Sequence, residues 1–323
     1  MKRLSTSISV VGTLTAAALL AAACSGSGGG SAAPTGLEKT NLTVAAVPAL
    51  DSAGLYIAEQ RGLFAAQGLH VTIVPAGSST SIITGQLASK YDVTEGAYVA
   101  YMLADARQNA NLKVLAPASD MAPLTQEVMV PPGSPIQTVA QLKGKTIGLN
   151  ALNNVGQVLV SSLLTDNGVS PSDVHFVAIP FSEMANALKT HQVDAAWLPE
   201  PYITGAEESI GATTLADVDQ GAAQNLPVAG YIATQSWLDK YPRTAAAFRR
   251  AVIEAQGIAS NDPAAIADGM VAYGGVSRTT AEIEAAPSYP VQSDPTLLQR
   301  TANLMEQFNL TQQVFNAASM LHS

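Results

Sequence analysis

Beyond residue 40 the chain alternates short apolar, β-branched runs with stretches of helical period. That alternation predicts an α/β fold, a largely parallel sheet covered by helices on both faces. The first set reads as a strand over 42–47, a helix over 53–61, a strand over 70–75 and a helix over 79–88. A short strand around Val93, a helix over 99–108 and a strand over 112–116 complete it. Such sheets bind ligands beyond the carboxyl ends of their strands, so the loops that follow the strands are the places to look for function.

The pattern then recurs. His70-Val71-Thr72-Ile73-Val74-Pro75, a Ser-rich turn, a helix and Asp92-Val93 are echoed by His175-Phe176-Val177-Ala178-Ile179-Pro180, Ser182, a helix and Asp194-Ala195. In each copy a strand stops at proline, a hydroxyl-rich turn caps the next helix, and a short Asp-led strand leads into an aromatic-bearing loop. Two similar lobes are expected, although any α/β chain produces some short echoes of this sort. The turn-rich 130–136 and the turn into a strand over 141–148 open the second lobe. Residues 227–234 read as an extended return to the first lobe. The remainder, 235–322, reads as almost wholly helical, with Pro242, Pro263 and Pro295 near helix starts. The expected division is 41–127 with 230–323 for lobe 1 and 128–229 for lobe 2.

The N-terminus adds a different kind of signal. Lys2 and Arg3 precede an uncharged stretch over 4–23, and Leu20-Ala21-Ala22-Ala23 leads to Cys24, the chain's one cysteine. A basic start, an apolar middle and small residues before a cut describe an export leader, which is not part of the fold. The segment resembles bacterial lipoprotein leaders, with Leu20 one place further from the cysteine, and that implies a lipid on Cys24. An ordinary signal-peptidase site, or an uncleaved anchor helix of roughly 20 residues, are the plainer readings. Residues 25–34 are Ser, Gly, Ala and Pro throughout and read as part of a flexible tether over 24–40. The expected location is the extracytoplasmic face of the cell membrane, with the lipid as anchor.

With Cys24 spent on the lipid no disulfide is available, so burial alone must hold the domain. A content of 47% hydrophobic and 13% charged residues suits that demand. The net charge is −9, and it becomes more negative still when Lys2 and Arg3 leave with the leader. So acidic a chain argues against nucleic-acid partners, which need cations to displace phosphate counterions.

Three groups of residues carry a family resemblance. They are Ala53-Gly54-Leu55-Tyr56-Ile57-Ala58-Glu59-Gln60-Arg61-Gly62-Leu63-Phe64 with Gly68-Leu69-His70-Val71, then Gly133-Ser134-Pro135-Ile136 running to Gly148, and Gln192-Val193-Asp194-Ala195-Ala196 leading to Glu200-Pro201-Tyr202. In this order they resemble the nitrate, sulfonate and taurine solute-binding proteins of ABC importers, a family that includes binders of thiamine pyrimidine precursors. The resemblance implies a type II periplasmic-binding-protein fold. Its two α/β lobes would be joined by crossings near 127–130 and 227–231, and they would close on one small solute and pass it unaltered to a permease and its ATPase. No cofactor is implied, and a monomer is expected.

Candidate ligand residues lie at the strand exits. Asp51 and Ser52 follow the first strand; Ser78, Ser79 and Thr80 open a helix whose free N–H groups suit an acceptor or anion. Glu95 and Tyr98 follow the third strand, Thr125 lies in the next exit loop, Asn153 and Asn154 precede the second-lobe helix, and Trp197, Glu200 and Tyr202 close the set. Each has a structural alternative: a simple N-cap for the hydroxyls and amides, lobe packing for the aromatics, capping or hydration for the acids. Aromatics make up only 5% of the chain, so Tyr98, Trp197 and Tyr202 stand out as flat faces for a ring, while Phe181 reads as core. The exit loops hold Asp51, Glu95, Asp120 and Glu200 but neither Lys nor Arg. A buried sulfonate would want a cation or many N–H donors, so a neutral or cationic solute such as an amino-substituted heterocycle is favoured.

Catalysis has little to stand on. His70, His175, His191 and His322 are not placed as bases, no cysteine remains as nucleophile, and no clustered ligands suggest a metal. Two alternatives stay open. One is a pyrimidine-synthase-like enzyme of the same fold, which would need a lysine or histidine in its pocket; the other is a sensor or adhesin lipoprotein not coupled to transport.

Overall fold

A computed structural model describes residues 36–283 and 285–322. The expected leader, Cys24 and the tether up to residue 35 lie outside them. Ten strands among the described residues form two five-stranded sheets. The first sheet contains β1 (Asn41–Ala46), β2 (His70–Pro75), β3 (Val93–Ala97) and β4 (Leu112–Asp120). The second contains β5 (Gln126–Val130), β6 (Thr146–Leu149), β7 (His175–Ala178), β8 (Ala195–Pro199) and β9 (Thr213–Asp217). Strand β10 (Pro227–Thr234) returns to the first. The orders are β2-β1-β3-β10-β4 and β7-β6-β8-β5-β9.

Burial explains which strands are central. The residues of β3, β5 and β8 are buried throughout, as are all but the last of β10, and their sequences are continuous apolar or small runs with few polar interruptions. The edge strands β2 and β7 alternate half-buried and exposed positions, and each starts at a solvent-facing histidine. In each sheet the fourth strand runs antiparallel to its neighbours: β10 against β3 and β4, β5 against β8 and β9. Helices cover both sheets, Pro242–Ala259 packing its small-residue face, Ala247, Ala251 and Ala255, into the first lobe.

Most expected elements fall within a residue or two of their observed bounds. Four expectations change. The chain passes between sheets over 121–125 and 218–226, ahead of the expected crossings, because 127–130 and 227–231 are strand interiors of β5 and β10; a lobe 2 spanning 128–229 therefore cuts both strands. The two crossings bond to each other, Met121 N–H donating to Leu226 O at 2.8 Å. The strand expected over 112–116 runs on to Asp120, where it exchanges backbone hydrogen bonds with Ser288. The C-terminal stretch is less helical than expected. Pro242, Pro263 and Pro295 do open helices, but residues 285–294, broken by Pro287 and Pro290, and residues 308–316 are not helical.

The internal repeat is structural, though part of its sequence signal is not. Asp92 N–H donates to Thr43 O (2.9 Å) while its carboxylate accepts from Thr43 N–H (2.9 Å). Asp194 does the same with Thr146, at 2.9 and 2.8 Å. Aligning the lobes on these pairs puts Pro75, opposite Ala46, at the level of Ala178, opposite Leu149. The His-to-Pro echo is thus two residues out of step, and the repeated Asp is the true landmark.

Asp92 carries more than its counterpart. It also accepts from Lys39 Nζ (2.5 Å) and Trp237 Nε1 (2.9 Å) with an 11% exposed side chain, whereas Asp194 is 41% exposed with Lys145 at 3.9 Å. Asp92→Ala is expected to cost about 2–3 kcal/mol and Asp194→Ala about 1 kcal/mol or less, read as the difference in urea midpoints. Equal losses would contradict this ranking.

Candidate functional site

The strand ends of the two sheets face each other across a narrow cavity of about 30 Å³, room for a guest of only a few heavy atoms in this conformation. From the first lobe come Val47 and Ala49 after β1, Asp51 in the following turn, Ser79 at a helix start, Glu95, Gly96 and Ala97 of β3, and Val228 and Ala229 of β10. From the second come Gln126 of β5, Asn150 after β6, Asn154 and Val155 at a helix start, Phe181, and Trp197 and Pro199 of β8.

Five expected site residues meet here: Asp51, Ser79, Glu95, Asn154 and Trp197. The others are elsewhere. Ser52 is buried just behind Glu95, its hydroxyl touching Glu95 Oε2 and Val47 O. Ser78 caps the helix Ser79–Leu87 through Ser81 N–H. Thr80 and Asn153 line a separate groove on the flank beside Leu87 and Leu152. Tyr98 is core, its ring close over Gly230. Thr125 ties the first crossing by a hydrogen bond to Ala122 O (2.6 Å). Glu200 accepts from Thr204 N–H (3.2 Å) and Thr204 Oγ1 (2.9 Å) inside the second lobe. Tyr202 stacks on Phe181 at 4.8 Å and donates to Pro48 O (3.1 Å). Together with Leu50 N–H to Glu200 O (3.3 Å), that bond holds the lobes to one another.

Gln126, Asn150 and Phe181 are not among the expected ligand residues, although Asn150 and Phe181 lie in exit loops, 150–156 and 180–182, expected to face the cleft. Asn150 is the first residue past β6 and obeys the strand-exit rule. Gln126 does not, because β5 runs the opposite way and presents its first residue to the cleft. Phe181 is largely buried, in keeping with a core reading, yet its ring also closes the cavity wall.

Two glycines make the walls possible. A Cβ on Gly156 would lie 2.4 Å from Trp197 Cε3, so only glycine lets the indole lie flat on the helix start; a Cβ on Gly96 would stand 2.7 Å from Ser79 Oγ. That Ser79 oxygen accepts from Ala97 N–H at 2.9 Å. Two donors at the second-lobe helix start are spent internally: Val155 N–H on Asn154 Oδ1 (2.7 Å), Asn153 N–H on Gln157 Oε1 (2.8 Å). Among the lining residues three polar atoms are buried without a partner, Gln126 Oε1, Asn150 Oδ1 and Trp197 Nε1.

Burial governs the charges. It pushes the Glu95 carboxyl up to about 8; the charge of Asp51 adds to this and hydrogen bonds from the Ser52 and Val47 side offset it. Burial likewise raises Asp51, against the hydrogen bond from Ser119. Outside the cavity, burial lifts Glu200 to about 7 and Asp120 to about 6. Among the described residues no group of three or more His, Cys, Asp or Glu side chains could hold a metal ion, and no helix is long and apolar enough to cross a membrane.

Folded, Glu95 binds its proton more tightly than the unfolded chain does, so its contribution to stability is greatest below about 4.5 and is lost as pH rises toward about 8. The slope from one such group is at most about 1.4 kcal/mol per pH unit. Glu95→Gln is therefore expected to flatten the fall in stability between pH 5 and 8 and to be more stable than the parent at pH 8. Urea melts across that range check it; parallel pH profiles would refute a neutral Glu95.

A family model described as NMT1/THI5 like matches residues 49–266. Among curated proteins, the bicarbonate transport ATP-binding protein CmpC of Synechocystis sp. (strain ATCC 27184 / PCC 6803 / Kazusa) is 25% identical over 240 residues, covering 68% of this chain and 35% of the relative. The chain thus spans about a third of that relative's length. Among solved structures, the alkanesulfonate-binding protein SsuA from Xanthomonas axonopodis pv. citri, bound to MOPS, superposes with a TM-score of 0.76 at 18% identity, over 89% of this chain and 99% of that one. The periplasmic nitrate-binding protein NrtA from Synechocystis PCC 6803 gives 0.65 at 15% identity, over 76% and 69%. The two-lobed α/β architecture is the fold of these periplasmic binding proteins.

Proposed function

The chain belongs to the NMT1/THI5-like family, and from that premise we propose that it is the solute-binding component of an ABC importer, exported and held at the outer face of the membrane by a lipid on Cys24. In this reading the lobes close on one small solute and hand it unaltered to a permease and its ATPase. The observation that carries it is the cavity itself: opposed strand ends of two lobes, bridged by lobe-to-lobe hydrogen bonds, with three buried polar atoms awaiting a partner. Lobes that pivot about two crossings suit capture and release.

The solute we propose is nitrogenous and neutral or cationic, with a flat body. Its walls are acidic on one side, Asp51 and Glu95, and aromatic on the other, Trp197 and Phe181, and the lining residues include no Lys or Arg to meet a sulfonate or nitrate. They include no Lys or His either, which leaves a pyrimidine-synthase-like chemistry without its base or Schiff-base amine.

A thermal-shift screen over nitrate, sulfonates, aromatic acids, amines and aminopyrimidines tests the reading, because a ligand that binds only the folded form raises Tm by mass action. Amines or amino-heterocycles are expected to raise Tm, and taurine to leave it unchanged. Trp197→Ala is expected to weaken the hit at least about tenfold, or about 1.4 kcal/mol; unchanged affinity would take Trp197 out of the site. Cys24→Ser is expected to move the protein from the membrane fraction to the soluble exported fraction, and retention at the membrane would exclude the lipid anchor.

A further inference from the structure

Asp51 and Glu95 stand on the same wall of the cavity with no lysine, arginine or histidine among the residues lining it. The titratable groups that face Glu95 are Asp51 and the phenols of Tyr56, Tyr98, Tyr101 and Tyr231, none of them a cation. Ser52 Oγ lies 2.8 Å from Val47 O, which only accepts, and it also touches Glu95 Oε2. The Ser52 hydroxyl donates to Glu95 Oε2, a neutral partner that leaves the buried carboxyl without a counter-charge.

Facing this pair, Gln126 (3% exposed) and Trp197 (2% exposed) line the same cavity with an amide oxygen and an indole N–H that have no partner. Buried acids without a counter-charge stay protonated, because an isolated carboxylate is costly in a medium of low polarity; a cation brought from outside reverses that balance. Resting on the binding-protein reading above, we propose that Asp51 and Glu95 read a cationic nitrogen on the solute, a protonated amine or an amidinium, and that its capture expels a proton held by the pair. The proton leaves the Glu95 carboxyl for solvent, the carboxylate left behind pairs with the incoming cation, and no other bond changes.

Because Glu95 keeps its proton up to about pH 8, linkage makes affinity for a permanent cation rise by about tenfold per pH unit below that value and level off above it. Three probes of one shape separate charge from fit: benzamidinium, benzamide and benzoate. They are titrated calorimetrically into the full chain at pH 6, 7 and 8, in two buffers of different ionisation heat. Benzamidinium is expected to bind tightest, to release close to one proton per site at pH 6, and to gain up to about a hundredfold between pH 6 and 8. Benzoate is expected not to bind.

Glu95→Gln keeps the shape of a neutral Glu95 and is expected to lose the pH slope and at least about tenfold in benzamidinium affinity while still binding benzamide. Asp51→Asn should weaken benzamidinium in the same direction, and the melting temperature of each variant shows that it is folded. No benzamidinium binding, binding without proton release, or an unchanged slope in Glu95→Gln overturns the proposal. Saturable binding of benzoate in place of benzamidinium leaves solute capture standing and removes the cation; silence from every probe and from the broad solute screen removes both.

Discussion

Strands β5 and β10 each run against the other strands of their sheet, and the site depends on that reversal. In a purely parallel sheet only the carboxyl ends of strands look into the cleft. A reversed strand brings its first residues there instead, which is how Gln126 of β5 and Val228 and Ala229 of β10 come to line the cavity. The same two strands are the ones that arrive from the other lobe. Their lead-in segments lie side by side, bonded through Met121 and Leu226, so the covalent links between lobes adjoin the strand ends that line the cavity. Any rotation about them opens or shuts that cavity first.

How far the sequence could be read follows from the same feature. The parallel strands carry their own signals, β-branched runs ended by Pro, Gly or a helix cap, and 70–75 was found to the residue. Asp51, Ser79, Glu95, Asn154 and Trp197 all line the cavity, each at or just past the end of a strand that the sequence marks. β5 was missed as a strand because Gln126-Glu127-Val128-Met129-Val130 is short and precedes a run of prolines, so it read as a crossing, and Gln126 went with it. Tyr98 shows the opposite error: the residue is at a strand exit, but a helix begins there and turns the ring back over Gly230 into the core. Position along the chain places a residue near the cleft; which way its side chain faces is decided by the element that starts there. Tyr202 and Glu200, expected to touch the solute, instead bond to Pro48 and Leu50 of the other lobe, something no single-lobe pattern can encode.

The two lobes share a frame and differ where the frame meets the guest. Asp92 and Asp194 fill one structural role, each locking the strand beside it. Three residues further along, at matching positions, lobe 1 carries Glu95 and lobe 2 carries Trp197; likewise Val47 matches Asn150. A doubled scaffold therefore yields a cavity with unlike walls, one able to hold charge and one able to hold a flat apolar face. The unlike walls come from breaking the repeat at two or three positions, and the buried apolar strands on which each lobe stands are left as they are.

Charge at long range acts in the same direction as charge at the wall. The chain carries 25 acidic against 16 basic residues, so its field attracts cations and repels anions before contact, within a screening length of about 8 Å at physiological salt. In a cleft closed over a guest that screening is lost, since little water remains between the charges. An anion would meet two acids on one wall and neither lysine nor arginine among the lining residues. Under the proposed reading a cation gains on both scales, steered by the surface and then paired at the wall, and the proton it displaces is what lowers the cost of burying the empty acid.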